Sequence, residues 1–212
     1  MGLLRVSSGL FNRLIGGTYV EIVRNLPPLV LVFIFYFFIG DQILPALGIE
    51  SLVSGISGAG RSLLRVLFAP PTLLVPFLSA LVTLAVFEGA YITEIVRSGI
   101  QSIETGQWEA AAALGLTKSQ QMRHIVLPQA LQRILPPLAG QFISTIKDSA
   151  IVSVISIQEL TFQGLELMAT TYFTFEIWIT ITGLYLLLTL SCSLAVERLE
   201  IRLRKGRAVG RH

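Results

Sequence analysis

Long uncharged apolar segments constrain this 212-residue chain more than any other feature of its sequence. Val66 to Phe87 is a run of 22 residues without a charged side chain, and Ile177 to Val196 is a second run of 20 such residues. A membrane-spanning helix needs about 20 predominantly apolar residues. Charged residues make up only 14% of the chain, against about a quarter in ordinary soluble domains. The sequence therefore predicts an all-α integral membrane protein.

Two further apolar segments are less regular than these runs. The first follows a pair of prolines and contains one aspartate, and the second is interrupted at its middle by Lys147 and Asp148. With the two long runs, they predict a single transmembrane domain over residues 1–212 with about four spans. We expect the spans at residues 26–47, 66–88, 134–158 and 177–196.

Arginine and lysine are distributed unevenly among the connections. Basic residues are frequent before the first predicted span, between the second and third, and after the last, whereas residues 158–176 contain none. Cytoplasmic loops of membrane proteins carry an excess of basic residues. Both termini and the loop at residues 107–128 are therefore expected in the cytoplasm. This topology and anionic lipid explain the net charge of +3 without a nucleic-acid partner.

Reactive and metal-ligating residues form no recognisable catalytic pattern in the sequence. The two histidines, His124 and His212, and the one cysteine, Cys192, are too few for a metal framework or a disulfide. The phosphate-binding pattern G-x-x-x-x-G-K-[ST] does not occur in the chain either. We therefore expect no enzymatic activity, no metal and no cofactor, and we expect any energy that the protein uses to be supplied by another subunit.

A polar, helix-forming insert separates the second and third predicted spans. Strong helix formers follow Glu109, which is expected in the first turn, where the helix dipole favours a negative charge. Gly115 stands where a helix commonly ends in the left-handed conformation. Thr117 and Gln120 have the spacing of a capping box, which predicts a second helix, and Pro128 limits how far this helix continues unkinked. The insert is thus predicted to be helix, tight turn, helix.

The alanines of this insert leave two interpretations open. Ala110 to Ala113 give the first helix a slim surface that another backbone can approach closely. Alternatively, the two helices form an amphipathic pair on the inner membrane surface. Apolar residues suitable for that second arrangement are Trp108, Leu114, Met122 and Ile125.

The spacing within the insert distinguishes the two interpretations. The pattern E-A-A-x3-G-x9-I-x-L-P over residues 109–128 resembles the EAA loop of permease subunits of ATP-binding-cassette importers, in residue types and in intervals. The surrounding sequence looks like the polar amino-acid branch of that family, and the resemblance covers nearly the whole chain. The segments that carry it are YVEIVRNLPPLV, GAYITEIVRSGIQSIETGQWEAAAALGL and LPQALQRILPPLAGQFISTIKDSAIVSVI.

The resemblance implies a type I importer helical bundle in which the short EAA helix docks in a cleft of a cytoplasmic ATPase subunit. It implies five residues for this coupling: Glu109, Ala110, Ala111, Gly115 and Leu116. The implied assembly lies in the bacterial inner membrane. It contains a second permease subunit, identical or not, two ATPase subunits that bind ATP and magnesium, and an extracytoplasmic amino-acid-binding protein.

The implied function is that of a permease subunit of an ATP-driven amino-acid importer, forming the translocation path. The alternative is a stand-alone channel or secondary carrier, which would have no use for a small-residue helix in the cytoplasm. Family members usually have five spans, with an apolar helix before the segment that begins here at LLRVSSG. The first span of the family is therefore expected to be missing.

Charged residues within the predicted spans mark a candidate translocation path. Glu88 ends the 22-residue uncharged run, and an intramembrane carboxylate is costly enough to indicate a function. Glu88 either faces the path or pairs with Lys147 as a structural bridge. Lys147, Asp148 and Ser149 interrupt the third predicted span in a motif typical of the family. Because Lys147 and Asp148 are adjacent in sequence, they are expected to point to different sides of a helix and to have separate partners.

Overall fold

The computed structural model describes residues 10–43, 46–48, 58, 62 and 73–208, and the regular structure within these ranges is helical. A π-helical turn, Ile39–Ile43, extends the second helix. The prediction of an all-α protein is confirmed. Parts of the first two predicted spans, residues 44–45 and 66–72, lie outside the described residues. The helices are α1 Leu10–Asn25, α2 Pro28–Phe38, α3 Leu74–Gln101, α4 Thr105–Ala113, α5 Lys118–Ile155, α6 Leu160–Thr171 and α7 Thr174–Ala208.

Three of the described helices, α3, α5 and α7, are long and apolar enough to cross a membrane. Helices α1 and α2 meet the same criterion of length and hydropathy only when they are taken together. The predicted span at residues 177–196 lies wholly within α7. Helix α3 continues past the predicted end at residue 88 to Gln101, and α5 begins before the predicted start at residue 134 and ends at Ile155, before the predicted end at residue 158. The number of four spans stays a prediction.

The chain forms two compact units, each with its own apolar core. The first unit takes in the described parts of residues 1–25, 88–145 and 188–212, and the second those of residues 26–87 and 146–187. The buried cluster of the first unit consists of Ile100, Ile103, Val126, Ala130 and Ile134. The buried cluster of the second unit consists of Val32, Ala80, Val152 and Ile155.

The helix that begins at Lys118 continues past Pro128, the residue that was predicted to limit how far it runs unkinked. The helix continues to Ile155, over 38 residues. A π-helical segment, Gln121–Val126, immediately precedes the proline. The wider turn moves backbone carbonyls away from the position where a proline ring would clash with them. The second helix of the insert is therefore the beginning of the helix that carries the third predicted span.

Helix α6 lies in a connection for which the sequence predicted no element. The Glu159 carboxylate caps it by accepting hydrogen bonds from the backbone N–H groups of Thr161 and Phe162, each at 2.8 Å. The Tyr185 hydroxyl donates to the same carboxylate at 2.8 Å. The helix ends at Thr171, and the residue that follows it, Tyr172, has a left-handed φ of 63°. With 12 residues it is too short for a hydropathy criterion of about 20 residues, so this pattern did not reveal it.

Candidate functional site

Helix α4 contains Glu109, Ala110 and Ala111, the first three predicted coupling residues. It begins at Thr105, so the expectation that Glu109 lies in the first turn is wrong. The earlier start places Trp108 on the helix, where its ring packs against the buried cluster of the first unit. Ala111 is 2% exposed, whereas Glu109 and Ala110 are exposed. The helix thus rests on the first unit by one face and leaves its other face uncovered by the described residues.

Gly115 ends α4 in the conformation that the sequence predicted, with a left-handed φ of 74°. The Gly115 N–H donates to the Ala112 carbonyl at 2.9 Å, and the Leu116 N–H donates to the Ala111 carbonyl at 3.2 Å. These two bonds form a Schellman motif, which satisfies the last carbonyls of a helix. A side chain at Gly115 would meet no atom within 4 Å, so the backbone conformation alone requires glycine.

The turn after Gly115 is held by side chains on both sides. The predicted capping box is confirmed: the Thr117 N–H donates to Gln120 Oε1 at 2.9 Å, and the Gln120 N–H donates to Thr117 Oγ1 at 3.4 Å. Gln121 is buried and donates through Nε2 to the Leu116 carbonyl at 2.7 Å. Leu116, the last predicted coupling residue, is therefore fixed relative to the start of α5.

Long-range hydrogen bonds hold α5 against α4 and against the turn that follows α3. Gln129 Nε2 donates to Gln107 Oε1 at 3.1 Å, and the Arg133 guanidinium donates to the Ser102 carbonyl. Neither contact was predicted, because the paired residues are 22 and 31 positions apart in sequence. Together with the apolar cluster, these bonds hold α4 against α5 and the turn after α3.

A cavity of about 190 Å³ in the second unit contains two of the four residues predicted for the translocation path. Residues at spacings of three or four positions on α2, α3 and α5 line it, as expected for neighbouring side chains on one helix face. We call it the Lys147 cavity. The described residues that line it are Pro28, Val32, Thr83, Leu84, Phe87, Lys147, Asp148 and Ile151.

Lys147 and Asp148 line this one cavity, whereas the sequence suggested different sides and separate partners. Successive residues on a helix are about 100° apart, so Lys147 and Asp148 can both border one cavity. Its wall also contains Ile151, which is four positions after Lys147 and three after Asp148. Among the described residues of the second unit, neither charged side chain has a hydrogen-bond or ion-pair partner, and both residues are exposed. Ser149 is not among the described lining residues, and its hydroxyl donates to the Ile146 carbonyl at 2.8 Å.

Thr83 is a lining residue of the Lys147 cavity that the sequence interpretation did not include. Its side chain is 1% exposed, and its hydroxyl donates to the Ser79 carbonyl at 2.7 Å. A hydroxyl that has donated its hydrogen keeps lone pairs with which it can accept. The sequence could have indicated Thr83 only as a hydroxyl inside a long apolar run. Whether that hydroxyl faces a cavity depends on the packing of other helices.

Glu88 lies in the first unit and is 6% exposed. Its Oε2 accepts a hydrogen bond from Gln141 Nε2 at 2.7 Å, and its Oε1 has no hydrogen-bond partner among the described residues. Gln141 stands 53 positions away, which explains why the sequence did not indicate this pair. The structural bridge between Glu88 and Lys147 stays a prediction, because the two residues belong to different units.

We expect Glu88→Gln to lower uptake while the subunit keeps its stability. A buried carboxylate with an unpaired oxygen is costly, so its replacement by a neutral amide of the same shape removes a cost from folding. A hydrogen bond to a charged group contributes about 1.5–3 kcal/mol. If such a bond to the Glu88 carboxylate assists transport, the variant loses this contribution and uptake falls. Uptake and the thermal unfolding midpoint of the purified subunit measure the two effects.

Glu166→Gln, at an exposed position of α6, is the matched control for this change and should alter neither quantity. The double variant Glu88→Gln with Lys147→Gln tests the structural bridge. Recovery of uptake in the double variant would favour the bridge, and unchanged uptake in Glu88→Gln would exclude a role for the charge.

Comparisons with known proteins agree with the apolar helices and the polar insert described above. Residues 2–205 match the family described as "Binding-protein-dependent transport system inner membrane component". The chain is 37% identical over 192 residues to the probable glutamine ABC transporter permease protein GlnM of Bacillus subtilis, covering 91% of this chain and 76% of that protein. It is 44% identical over 129 residues to the glutamine transport system permease protein GlnP of Escherichia coli, covering 61% and 59%. The arginine ABC transporter permease protein ArtQ of Haemophilus influenzae is 33% identical over 195 residues, covering 90% and 78%.

Solved structures give the same result for the fold. The chain matches a structure described as "Crystal structure of an amino acid ABC transporter with histidines" with a TM-score of 0.73 and 33% identity, covering 95% of this chain and 81% of that one. It matches the inward-facing MetNI methionine ABC transporter with a TM-score of 0.52 at 20% identity, which is evidence for the fold alone. The predicted type I importer fold is thus confirmed. The chain belongs to the family of binding-protein-dependent transport system inner membrane components, the permease subunits of ABC transporters.

Proposed function

We propose that this chain forms the translocation path of an ATP-driven amino-acid importer and is coupled to a cytoplasmic ATPase subunit through α4. The observation that carries the proposal is α4 itself. This helix has an uncovered face that includes Glu109 and Ala110, a fixed end at Gly115, and hydrogen bonds to the long helix α5. The glutamine and arginine permeases among its relatives support an amino acid as the substrate.

Coupling follows from the small side chains of α4. Alanines let a partner backbone approach closely, and Glu109 offers a charge at the edge of that surface. We place this surface, with Gly115 and Leu116, in a cleft of the ATPase subunit, which binds ATP and magnesium. The complete importer in this proposal has two permease subunits, two ATPase subunits and an extracytoplasmic binding protein.

The Lys147 cavity is the part of the translocation path that we assign to the second unit. The two unpaired charges at Lys147 and Asp148 complement the carboxylate and the ammonium group that every free amino acid carries. Glu88 belongs to the same path in this proposal, through its unpaired oxygen in the first unit.

Reconstitution tests the proposed function directly. In proteoliposomes that contain the chain and its ATPase subunit, amino-acid uptake should require both ATP and the binding protein. A variant ATPase subunit that binds but does not hydrolyse ATP is the control and should give no uptake. Uptake driven by an ion gradient without ATP would contradict the proposal and support a secondary carrier, which membership of a binding-protein-dependent family does not favour.

The proposed orientation places both termini and the loop with Lys118 in the cytoplasm, and Glu166 outside. In a Cys192→Ala background, an impermeant maleimide added to intact cells should label a cysteine introduced at position 166 and not one introduced at position 118. After cells are opened, both positions should react, which controls for reactivity. Labelling of position 118 alone in intact cells would reverse the topology.

A further inference from the structure

We propose that a groove between α6 and α7 binds a membrane phospholipid whose headgroup carries an ammonium group, of which phosphatidylethanolamine is an example. The groove lies within the second unit and has a volume of about 340 Å³. It shares no described lining residue with the Lys147 cavity. The described residues that line the groove are Leu160, Gln163, Leu167, Thr171, Phe173, Glu176, Ile177, Thr180, Ile181 and Leu184.

One face of each helix forms the groove. The lining residues of α6 recur every three or four positions, and those of α7 fall in pairs related by the same spacings, as on a single helix face. The two helices approach closely at Gly164, where an added Cβ would lie 2.9 Å from Ile181 Cγ1. Ile181 is buried, whereas Leu167 and Leu184 are 52% and 44% exposed. The groove is therefore open to whatever surrounds these two helices.

Hydrocarbon is the surrounding that suits the wall of the groove. Most of its lining residues are leucine, isoleucine or phenylalanine, and only 6% of the apolar stretch of α7 is buried in this chain. From Glu176 to Leu184 the helix rises about 12 Å. The hydrocarbon core of a bilayer is about 30 Å thick, so one leaflet contributes roughly 15 Å. The groove thus has the length and the surface to hold an acyl chain of a single leaflet.

Aromatic residues place the Glu176 end of the groove at the level of the lipid headgroups. Tyr172 and Trp178 stand on either side of Glu176 in the sequence, and these residue types are enriched where a membrane meets water. Leu184 follows two turns later, in the apolar part of α7. An occupant that matches both ends needs a polar group joined to hydrocarbon, which a lipid has and a free amine lacks.

The charge at this end selects the headgroup. Among the described residues of the second unit, the Glu176 carboxylate has no hydrogen-bond or ion-pair partner. The Thr180 hydroxyl donates to the Glu176 carbonyl at 2.7 Å, so its oxygen can only accept from a ligand. Residues 158–176 contain no arginine or lysine that could pair with an anionic headgroup. An ammonium group supplies the positive charge and the N–H donors that these acceptors lack.

Native mass spectrometry of the delipidated permease–ATPase complex tests the proposal. The complex is incubated with an equimolar mixture of phosphatidylethanolamine and phosphatidylglycerol that have the same acyl chains. For the first lipid bound, we expect a preference of about fivefold for phosphatidylethanolamine, the factor that one ion pair at an exposed site provides. Glu176→Gln should reduce this preference to less than about twofold. Equal binding of the two lipids by the wild type, or an unchanged preference in Glu176→Gln, would overturn the proposal.

Glu166→Gln is the control for the charge, because it removes a carboxylate from an exposed position of α6 that does not line the groove. This variant should keep the preference, and its loss here would show that the headgroup is not selected at Glu176.

Leu167→Asn tests the apolar wall at a half-exposed position and should weaken phosphatidylethanolamine binding by about fivefold or more. The same spectra report how many permease copies associate. If Leu167→Asn separates permease copies and leaves lipid binding unchanged, a second copy occupies the groove and the proposal is wrong.

Discussion

Replacing Gly115 with valine should strongly reduce ATP-driven uptake while leaving the subunit in the membrane. Gly115 has a φ of 74°, a region that costs an ordinary L-residue about 1–2 kcal/mol and a β-branched residue more. The strain is relieved only if the helix end changes, which breaks the bonds from Gly115 and Leu116 to the carbonyls of α4. We therefore expect the surface that docks on the ATPase subunit to be lost, with uptake reduced by more than about tenfold.

Gly106→Val is the matched control for this change. Gly106 also lies on α4, is exposed and has open space around an added Cβ, and its φ is not in the left-handed region. Valine is no worse than glycine inside a helix, so this variant should retain uptake. Glu109→Gln, which removes an exposed charge without backbone strain, should weaken co-purification of the ATPase less than Gly115→Val does. Normal uptake and normal co-purification in both Gly115→Val and Glu109→Gln would contradict the coupling assignment.

Adding one methyl group at Gly99 should destabilise the first unit and so disconnect α4 from the bundle. Gly99 is buried, and a Cβ built there would overlap the Ile134 side chain, which belongs to the buried cluster. Overpacking of this kind costs about 1–3 kcal/mol. A glycine-to-alanine change inside a helix otherwise stabilises by about 0.5–1 kcal/mol, so the expected effect has the opposite sign to helix propensity. Thermal unfolding of the detergent-purified subunit measures it.

Gly140→Ala provides the comparison, because Gly140 lies on α5 with no atom within 4 Å of an added Cβ. This variant should raise the unfolding midpoint, as helix propensity alone predicts. Ile134→Ala removes the atoms with which the new methyl group overlaps. The double variant Gly99→Ala with Ile134→Ala should therefore lose less stability than the sum of the single losses. Equal stabilisation by Gly99→Ala and Gly140→Ala would show that the close packing at Ile134 is not present.

Local patterns of the insert were predicted correctly where every participating residue is within about five positions of the others. The left-handed Gly115 and the capping box of Thr117 and Gln120 are both of this kind. Their conformations follow from backbone sterics and short hydrogen-bonded rings, which the residue types decide. The start of α4 was misplaced, and the helix includes Trp108, which packs against distant residues of α3 and α5.

Contacts between distant segments account for the features that the sequence did not provide. Gln141 donates to Glu88 across 53 positions, and Tyr185 donates to Glu159 across 26. Helix α6 was missed for a related reason, since a 12-residue helix with an acidic cap has no long apolar run. Such pairs are selected by the packing of helices, which hydropathy and spacing do not specify.

The sequence by itself determined that this protein is helical and lies in a membrane, and it showed the spacing of the insert, because uncharged runs and short-range spacing need no tertiary information. The tertiary structure alone decided that Lys147 and Asp148 share one cavity with Thr83, and that Glu88 keeps one unpaired oxygen. The physical reason is that a side chain's direction on a helix is fixed locally, whereas the groups that it faces are chosen by the neighbouring helices.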